Sequence, residues 1–132
     1  MGMVDLETRC FPDPMSLNFF SKLWDQDVYH FRIIKKSDRI IAHVVYMIVA
    51  EEMELVTIAV DELFRNRGLG KALLENAFAD AREAGVNDCF LYVRHDNEFA
   101  KRLYAGFGFE EVGVVKKYYQ KKNDAIVMRT KV

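Results

Sequence analysis

The chain has 132 residues, of which 51% are hydrophobic and 30% are charged, and its formal net charge is −1. This size and composition predict a single domain over residues 1–132. A net charge near zero disfavours nucleic acid as a partner, because tracking a phosphate backbone needs a basic surface. No apolar run reaches the ~20 residues of a membrane span, and the first ten residues lack the basic start and apolar centre of a signal peptide.

The cysteines and histidines predict no metal site. Cys10 and Cys89 lie far apart, which is typical of ordinary thiols in a reducing compartment, and the three histidines show no metal-like spacing. Met1-Gly2 resembles the start of a myristoylation signal, but Leu6 stands where that signal needs Ser or Thr. We therefore expect a cytoplasmic protein without a metal.

The first half of the chain predicts one helix and three strands. The helix spans Asp13–Trp24, with Asp13 as its N-cap and Pro14 in its first turn. Residues 28–36 and 40–50 are rich in β-branched and aromatic side chains, and the "SDR" between them predicts a hairpin. Residues 54–60 predict a third strand that is buried on both faces.

The second half changes to a helical period after Gly68, because apolar residues then recur at spacings of three and four as far as Ala81. Gly85 suits a left-handed helix end. The remaining predicted elements are a strand at 89–94, a short helix ending at Gly106 or Gly108, and an antiparallel pair at 109–119 and 124–130 around "QKKN". Strands and helices that alternate in one domain predict a mixed sheet with helices on its faces.

A glycine-containing loop, "FRNRGLGKALL" at residues 64–74, connects the third strand to the long helix. The first turn of a helix has unpaired N–H groups and the positive end of the dipole, and glycines let a phosphate approach the backbone. Three basic residues add positive charge at the same place: Arg65, Arg67 and Lys71. A plain strand-to-helix connection has the same pattern, so the loop alone leaves both interpretations open.

Two nucleotide-binding motifs do not fit this loop. A P-loop needs GxxxxGK[ST], and the segment Gly68–Ala72 lacks both that spacing and the hydroxyl. The Rossmann fingerprint needs GxGxxG, and Leu73 stands at the position of its last glycine. A nucleotide-binding protein is therefore the least favoured class.

What fits is Arg65-x-x-Gly68-x-Gly70 after a strand that ends in Ala59-Val60. It resembles the pyrophosphate-binding motif, Q/R-x-x-G-x-G/A, of the GNAT superfamily of N-acetyltransferases. The segments "TIAVDELFRNRGLGKALL", "LYVRHDNEFAKRLYAGFGFEEVG" and "YYQKKNDAIVM" follow the order and spacing of one branch, the ribosomal-protein alanine N-acetyltransferases and their archaeal N-terminal acetyltransferase relatives, over roughly residues 10 to 130. The resemblance implies a mixed α/β GNAT fold, with a mostly antiparallel central sheet flanked by helices.

The start of the chain departs from that branch, whose members carry an extra strand and a longer first helix. We expect either that the first strand is absent or that "MVDLETRC" at residues 3–10 covers the sheet edge in another way. This arrangement would open the acceptor side or favour a dimer, so we expect a monomer or a weak homodimer.

The resemblance implies acetyl-CoA as the co-substrate and an amine as the acceptor. It assigns the acetyl and pantetheine portion to a strand segment formed by Ile58, Ala59 and Val60. It assigns the pyrophosphate to the loop that follows Arg65, through the backbone of Asn66, Arg67, Gly68, Leu69, Gly70 and Lys71. Asn97 matches an Asn that contacts CoA, although Asn is also a good helix N-cap.

Tyr104 matches the general acid of the family, the Tyr of "LYxxxGF", which lies near the CoA sulfur. A phenol with a pKa of about 10 can donate a proton to a departing thiolate. The alternative is an aromatic side chain that only packs on a helix face. With the surrounding motif matched, we favour the acid.

The general base is harder to assign. An α-amine with a pKa of about 8 is mostly protonated at pH 7, so a base is expected. Close relatives have Leu-Glu-Val-Arg on the strand, and that Glu is the proposed base, but residues 91–94 here are Leu-Tyr-Val-Arg. Because a Tyr with an ordinary pKa is a poor base, Tyr92 is either a weak replacement or a residue that orients a chain of water molecules.

Glu54 is the second candidate for the base. It lies six residues before Val60, where other GNAT enzymes hold a Glu that acts through water, and on a regular strand this offset places both residues on the same side. A solvated residue at a strand start is an equally good interpretation. His43 and His95 titrate in a suitable range but match no family position for a base.

The tail of the sequence matches the "YY…DA" hairpin that lines the peptide slot in N-terminal acetyltransferases. This match implies that Tyr118 and Tyr119 bind the acceptor, whereas a cross-strand aromatic cluster is the alternative. The most favoured acceptor is the N-terminal α-amine of a protein or peptide. A small amine, a lysine side chain and a non-catalytic acyl-CoA-binding module remain as alternatives.

Overall fold

The computed structural model describes residues 2–10, 17–24, 26–119 and 123–132. Its helices are α1 (Gly2–Cys10), α2 (Leu17–Trp24), α3 (Leu69–Glu83) and α4 (Glu98–Gly106), with a 3-10 turn at Glu62–Phe64. Its strands are β1 (Tyr29–Lys36), β2 (Arg39–Val49), β3 (Glu52–Val60), β4 (Asp88–Arg94), β5 (Glu110–Tyr119) and β6 (Asn123–Lys131). The predicted N-cap Asp13, the predicted helix start at Pro14 and most of the "QKKN" turn lie outside the described residues.

The strands form a six-stranded sheet in the order β1-β2-β3-β4-β6-β5. Every neighbouring pair is antiparallel except β3 and β4, which are parallel and joined through α3. A parallel pair needs such a crossover, and the amphipathic period after Gly68 supplies its helix. The predicted mixed, mostly antiparallel sheet with flanking helices is confirmed, as are both predicted hairpins.

Helices cover both faces of the sheet. The apolar stripe of α3 and the buried side of α4 pack with β2, β3 and β4 in the larger core cluster. On the opposite face, Met3 of α1 and Leu23 of α2 pack with Val45 of β2. Residues 3–10 therefore form a helix that lies on a face of the sheet, against β2 and β3. Of the two alternatives given for the start of the chain, the one in which residues 3–10 cover a sheet edge is therefore wrong. A short amphipathic helix buries its apolar stripe best on the face of a sheet.

The two parallel strands separate halfway along their length. They pair from Glu52 with Asp88 to Leu55 with Leu91, and beyond that point both continue without pairing to each other. Val56 is an extra residue in the ladder between β2 and β3, because Tyr46 pairs with Leu55 whereas Val45 pairs with Thr57. Such a bulge bends a strand and increases its local twist. The cleft between the ends of β3 and β4 begins at this bulge.

Candidate active site

A cavity of about 320 Å³ occupies the cleft where β3 and β4 separate. The two strands form its walls through Val56, Thr57, Ile58, Tyr92, Val93 and Arg94. Three further elements close it, with Glu7 and Cys10 from α1, Asn97, Ala100 and Tyr104 from α4, and Tyr119 from β5. We call this space the transfer cavity. It brings together side chains from one end of the chain to the other.

A second cavity, of about 400 Å³, lies beside the N-terminus of α3 and is lined by the glycine loop. Gly68 is the N-cap, with a φ of +81°, and no side chain caps the helix. Asn66 also has a positive φ, of +63°. Alternating left-handed residues turn successive N–H groups inward, and together with an uncapped first helical turn they make a concave anion site. We call this loop the phosphate cradle.

Gly70 has a packing role in addition to the predicted one. A Cβ at this position would lie 2.9 Å from Cδ2 of Leu103 on α4. The missing side chain therefore lets the first turn of α3 pack closely on α4. This contact fixes the cradle relative to the helix that carries Asn97 and Tyr104.

The basic residues of the loop have different surroundings. Nε of Arg65 donates to the carbonyl oxygen of Val60 at 3.0 Å, and its guanidinium carbon lies 4.4 Å from the centre of the Phe99 ring. Arg65 thus ties the end of β3 to α4. Lys71 is largely exposed at the cradle. Arg102 of α4 also lines the cradle, and the sequence analysis missed it because only the helix packing brings it there.

Asn97 is the N-cap of α4, where its Oδ1 accepts from the N–H of Ala100 at 3.1 Å. The predicted capping role is confirmed. The same residue lines the transfer cavity. The predicted contact with CoA is compatible with capping, since the side-chain amide nitrogen is not used by the cap.

Tyr104 is buried at the boundary between the transfer cavity and the core. Its ring centre lies 5.6 Å from that of Phe109, so it packs as an aromatic side chain, yet it also lines the cavity. Burial, and to a smaller extent its neighbour Tyr119, raise the pKa of Tyr104 well above its usual range. The phenol therefore stays protonated at neutral pH and can donate a hydrogen bond to a departing thiolate.

The bulge changes the expected position of Glu54. Leu55 and Val60 pack in the same core cluster, so Glu54 faces the opposite side of the sheet from Val60. The prediction that Glu54 and Val60 share a side is wrong, because the extra residue Val56 shifts the alternation. Glu54 is half-buried, and burial raises its pKa. It is not among the residues that line the transfer cavity.

Aromatic side chains gather at the mouth of the transfer cavity. Tyr92 lines the cavity, and its ring stacks on that of Tyr118, with centres 5.0 Å apart and planes 12° apart. Tyr119 lines the cavity as well and contacts Tyr118 edge-on. Burial, followed by the charge of nearby Glu54, raises the pKa of Tyr118. The structure therefore brings Tyr92, Tyr118, Tyr119 and Glu54 to one region, which the sequence could not show.

This arrangement matches a known family. Residues 1–109 match the acetyltransferase (GNAT) family, which is more than half of the chain. The chain belongs to the GNAT acetyltransferase family. The predicted family, fold and N-acetyltransferase class are therefore confirmed, and the use of acetyl-CoA follows at the level of this family.

Curated relatives of this GNAT chain are ribosomal protein bS18-alanine N-acetyltransferases. The protein from Escherichia coli K12 is 31% identical over 126 residues, which cover 93% of this chain and 84% of the relative. The protein from Salmonella typhimurium LT2 is 39% identical over 94 residues, which cover 69% of this chain and 64% of the relative.

Solved structures give the same result for the fold. The E. coli ribosomal-protein-S18-alanine N-acetyltransferase is 30% identical with a TM-score of 0.86, and the match covers 98% of this chain and 84% of that one. A NatC complex bound to Gag peptide and CoA is 18% identical with a TM-score of 0.85, covering 99% of this chain and 89% of that one. The second likeness concerns the fold alone.

The GNAT site contains three carboxylates that the sequence did not predict: Asp96 and Glu98, which are exposed, and Glu7, which is buried. Glu7 of α1 is buried against β2 and β3, and it lines the transfer cavity. Its Oε2 accepts from Oγ1 of Thr57 at 2.9 Å and lies 2.8 Å from Nε2 of His43, which is also buried. No local pattern in residues 2–10 pointed to this role, because it depends on where α1 packs.

The described residues show neither a metal-binding cluster nor a membrane-spanning helix. Within them, no cluster of three or more His, Cys, Asp or Glu side chains is arranged to hold a metal ion. None of the described helices is long and apolar enough to span a membrane. Cys10 and Cys89 are free thiols, as predicted.

Proposed function

We propose that this chain transfers the acetyl group of acetyl-CoA to the N-terminal α-amine of a protein. The observation that carries the proposal is the position of two cavities along one strand. Ile58 lines the transfer cavity, and Val60, two residues further along β3, lines the phosphate cradle. A pantetheine arm that follows this strand would lead from a pyrophosphate at the α3 N-terminus to a thioester near Tyr104.

The reaction needs few groups at this position. The amine nitrogen attacks the carbonyl carbon of the thioester, the new C–N bond forms and the C–S bond breaks. One proton leaves the nitrogen and one joins the CoA sulfur. Tyr104 is the predicted donor to the sulfur, and backbone N–H groups near the end of β3 are suited to hold the carbonyl oxygen as it gains negative charge.

The cradle supplies binding energy through the part of acetyl-CoA that does not react. Backbone N–H groups from Asn66 to Lys71 are the predicted ligands of the pyrophosphate, with Lys71 and Arg102 as nearby positive charges. Arg65 acts mainly on the shape of the site, because its side chain is engaged by Val60 and Phe99. This distribution of roles refines the prediction that Arg65 binds the cofactor.

An N-terminal α-amine is the preferred acceptor for two reasons. The curated relatives are alanine N-acetyltransferases of a ribosomal protein. Tyr92 in the wall of the transfer cavity stacks on Tyr118, whose side chain is exposed to solvent. Flat aromatic faces suit an extended peptide backbone better than a small, fully enclosed amine.

The remaining expectations belong to the same proposal. We propose that residues 1–132 act as one domain, in the cytoplasm, as a monomer or a weak homodimer, and without nucleic acid or a metal. A net charge of −1 is consistent with the absence of a nucleic-acid partner.

Thermal unfolding with and without acetyl-CoA, followed by mass spectrometry of a peptide mixture, tests the proposal. A ligand that binds only the folded state must raise the melting temperature. We expect such a rise, and we expect an added acetyl group on peptide N-termini ahead of free polyamines or lysine side chains. Stabilisation without turnover on any amine would instead support a non-catalytic acyl-CoA-binding module. No stabilisation would refute the proposal.

A further inference from the structure

We propose that Glu7 is the general base of the transfer and that His43 holds it in position. This inference rests on the proposed function, because it assigns the proton that the acceptor amine must lose. A base has to be found elsewhere in this chain, because Tyr92 stands where close relatives have the Glu that is their proposed base. The evidence is the position of one buried carboxylate in the wall of the transfer cavity.

Glu7 is held in one orientation by groups from two strands. It is 1% exposed, and His43 is fully buried beside it. Oε2 of Glu7 lies 2.8 Å from Nε2 of His43 and 2.9 Å from Oγ1 of Thr57, which donates to it. A buried carboxylate is costly unless it is hydrogen-bonded, and these two bonds offset that cost while they fix the side chain against β2 and β3.

The other carboxylates near the site are less suited to accept the proton. Asp96 and Glu98 also line the transfer cavity, but both are well exposed and are ion-paired with Arg94 and Lys101. Glu54 does not line the cavity, and it lies where β3 and β4 are still paired, opposite Phe90. Among the cavity-lining residues that the structure describes, Glu7 is therefore the buried carboxylate.

The transfer cavity places Glu7 opposite the predicted acid. Glu7 enters from α1 on one face of the sheet, and Tyr104 enters from α4 on the other face. Both side chains reach one space in the cleft between β3 and β4. A base on the acceptor side and an acid on the thiol side is the separation that a direct transfer requires.

Glu7 and Tyr104 together account for every proton that moves in the reaction. A neutral amine attacks the thioester carbon, the C–N bond forms, and the nitrogen passes its proton to the carboxylate of Glu7. The C–S bond breaks, and the sulfur takes a proton from the Tyr104 hydroxyl. The proton on Glu7 then returns through water to the tyrosinate, so both side chains end as they began. When the amine enters as an ammonium ion, the carboxylate of Glu7 first takes its additional proton and releases it to solvent through water. A neutral amine does not need this first step.

Several other groups influence the pH dependence because they surround Glu7. The titratable and charged groups on the elements around the cavity are His43, Cys10, Tyr92, Arg94, Asp96, Glu98, Tyr104 and Tyr119. His43 is in direct hydrogen-bond contact with the carboxylate of Glu7, so its substitution removes one of the two groups that hold Glu7 in place. Glu98 and Asp96 are exposed and paired, so their influence is smaller.

The test compares Glu7→Gln with the unsubstituted enzyme over pH 6 to 10, on a peptide acceptor that the enzyme acetylates. General-base catalysis contributes about 10²–10⁴-fold, so we expect kcat/KM at pH 7 to fall by at least about 100-fold. Because an α-amine with a pKa of about 8 loses its proton unaided at higher pH, we expect the deficit to shrink to a few-fold by pH 10. The thermal shift with acetyl-CoA should stay unchanged.

Matched variants separate the base from a structural role. Glu83→Gln, which removes an exposed carboxylate from α3, is the control for the loss of one charge. Glu7→Asp keeps the carboxylate, so its profile of kcat/KM between pH 6 and pH 10 should keep the shape of the unsubstituted enzyme's profile, at a lower rate. This variant provides the test even if Glu7→Gln is too unstable to assay. His43→Gln should change the shape of the pH profile of kcat/KM and leave acetyl-CoA binding intact.

The outcomes distinguish this inference from the proposed function. If the unsubstituted enzyme binds acetyl-CoA but acetylates no amine, the proposed function fails and the base assignment fails with it. If the enzyme is active and Glu7→Gln loses activity equally at every pH, Glu7 is structural and the inference is overturned. If Glu54→Gln, and not Glu7→Gln, shows a deficit that is large at pH 7 and shrinks towards pH 10, Glu54 is the base and the inference is again overturned.

Discussion

Replacement of Gly68 by alanine tests the phosphate cradle, and the chain provides a matched control. Gly68 and Gly85 stand at opposite ends of α3 with φ values of +81° and +82°, and a Cβ at either position would meet no heavy atom within 4 Å. Both substitutions therefore place an alanine in the left-handed region without a clash inside the protein. Only Gly68 lines the cradle.

The cost in the absence of ligand should be the same for both variants. A left-handed conformation costs a residue with a Cβ about 1–2 kcal/mol. For a chain of 132 residues, unfolding entropy is about 0.28 kcal/mol/K, so each variant should melt about 4–7 °C below the unsubstituted protein. The measurement is thermal unfolding by circular dichroism or differential scanning fluorimetry.

Gly68→Ala and Gly85→Ala should differ in how much acetyl-CoA stabilises them. At a ligand concentration of about 100 times Kd, binding adds about 2.7 kcal/mol, or about 10 °C, to the unsubstituted protein and to Gly85→Ala. In Gly68→Ala the strained N-cap and the new methyl group disturb the amides that face the pyrophosphate. A tenfold loss of affinity would reduce the added stability to about 1.4 kcal/mol, or about 5 °C. Equal ligand-induced shifts in the two alanine variants would refute the assignment of the cradle.

Three further predictions concern single side chains. Asp61 is buried and accepts from Arg9 at 2.5 Å and Arg39 at 2.7 Å, so Asp61→Asn should lower the free energy of unfolding by about 2–3 kcal/mol in urea titrations. Burial alone would raise the pKa of Asp61, but Arg9, the N–H of Leu63 and the charge of Arg39 bring it below its usual value. Its contribution is therefore complete above about pH 4 and is lost as pH falls further, and a stability that is flat down to pH 2 would contradict this. Tyr104→Phe should lower kcat at least tenfold with little change in the acetyl-CoA thermal shift, whereas an unchanged kcat would remove Tyr104 as the acid. Tyr118→Ala should raise KM for a peptide acceptor several-fold and leave KM for acetyl-CoA unchanged, which steady-state kinetics with each substrate varied in turn can check.

The sequence predicted the parts of the site that are contiguous in the chain. The helical period after Gly68 and the motif from Arg65 to Gly70 are local, so the cradle and α3 were predicted before any packing was known. Asn97 was predicted as an N-cap for the same reason, because a cap concerns residues only three positions apart. The family resemblance extended this to acetyl-CoA.

The sequence did not show how the strands and helices meet. Helix α1 has only nine residues, and so short a helix forms mainly because its apolar side packs on the sheet. The bulge at Val56 arises from the pairing of β3 with β2, and it reversed the expected side of Glu54. Alternation along a strand is a local rule, and one extra residue in a ladder is enough to invalidate it.

The sequence by itself therefore determined the family, the order of the strands and helices from β1 to β6, and the loop that suits a pyrophosphate, because each depends on short-range patterns. Only the tertiary structure decided which carboxylate lines the transfer cavity. Glu7 lies 36 residues from His43 and 50 residues from Thr57 in the chain. These groups meet because α1 packs across the sheet where two parallel strands separate, and no pattern within α1 encodes that meeting.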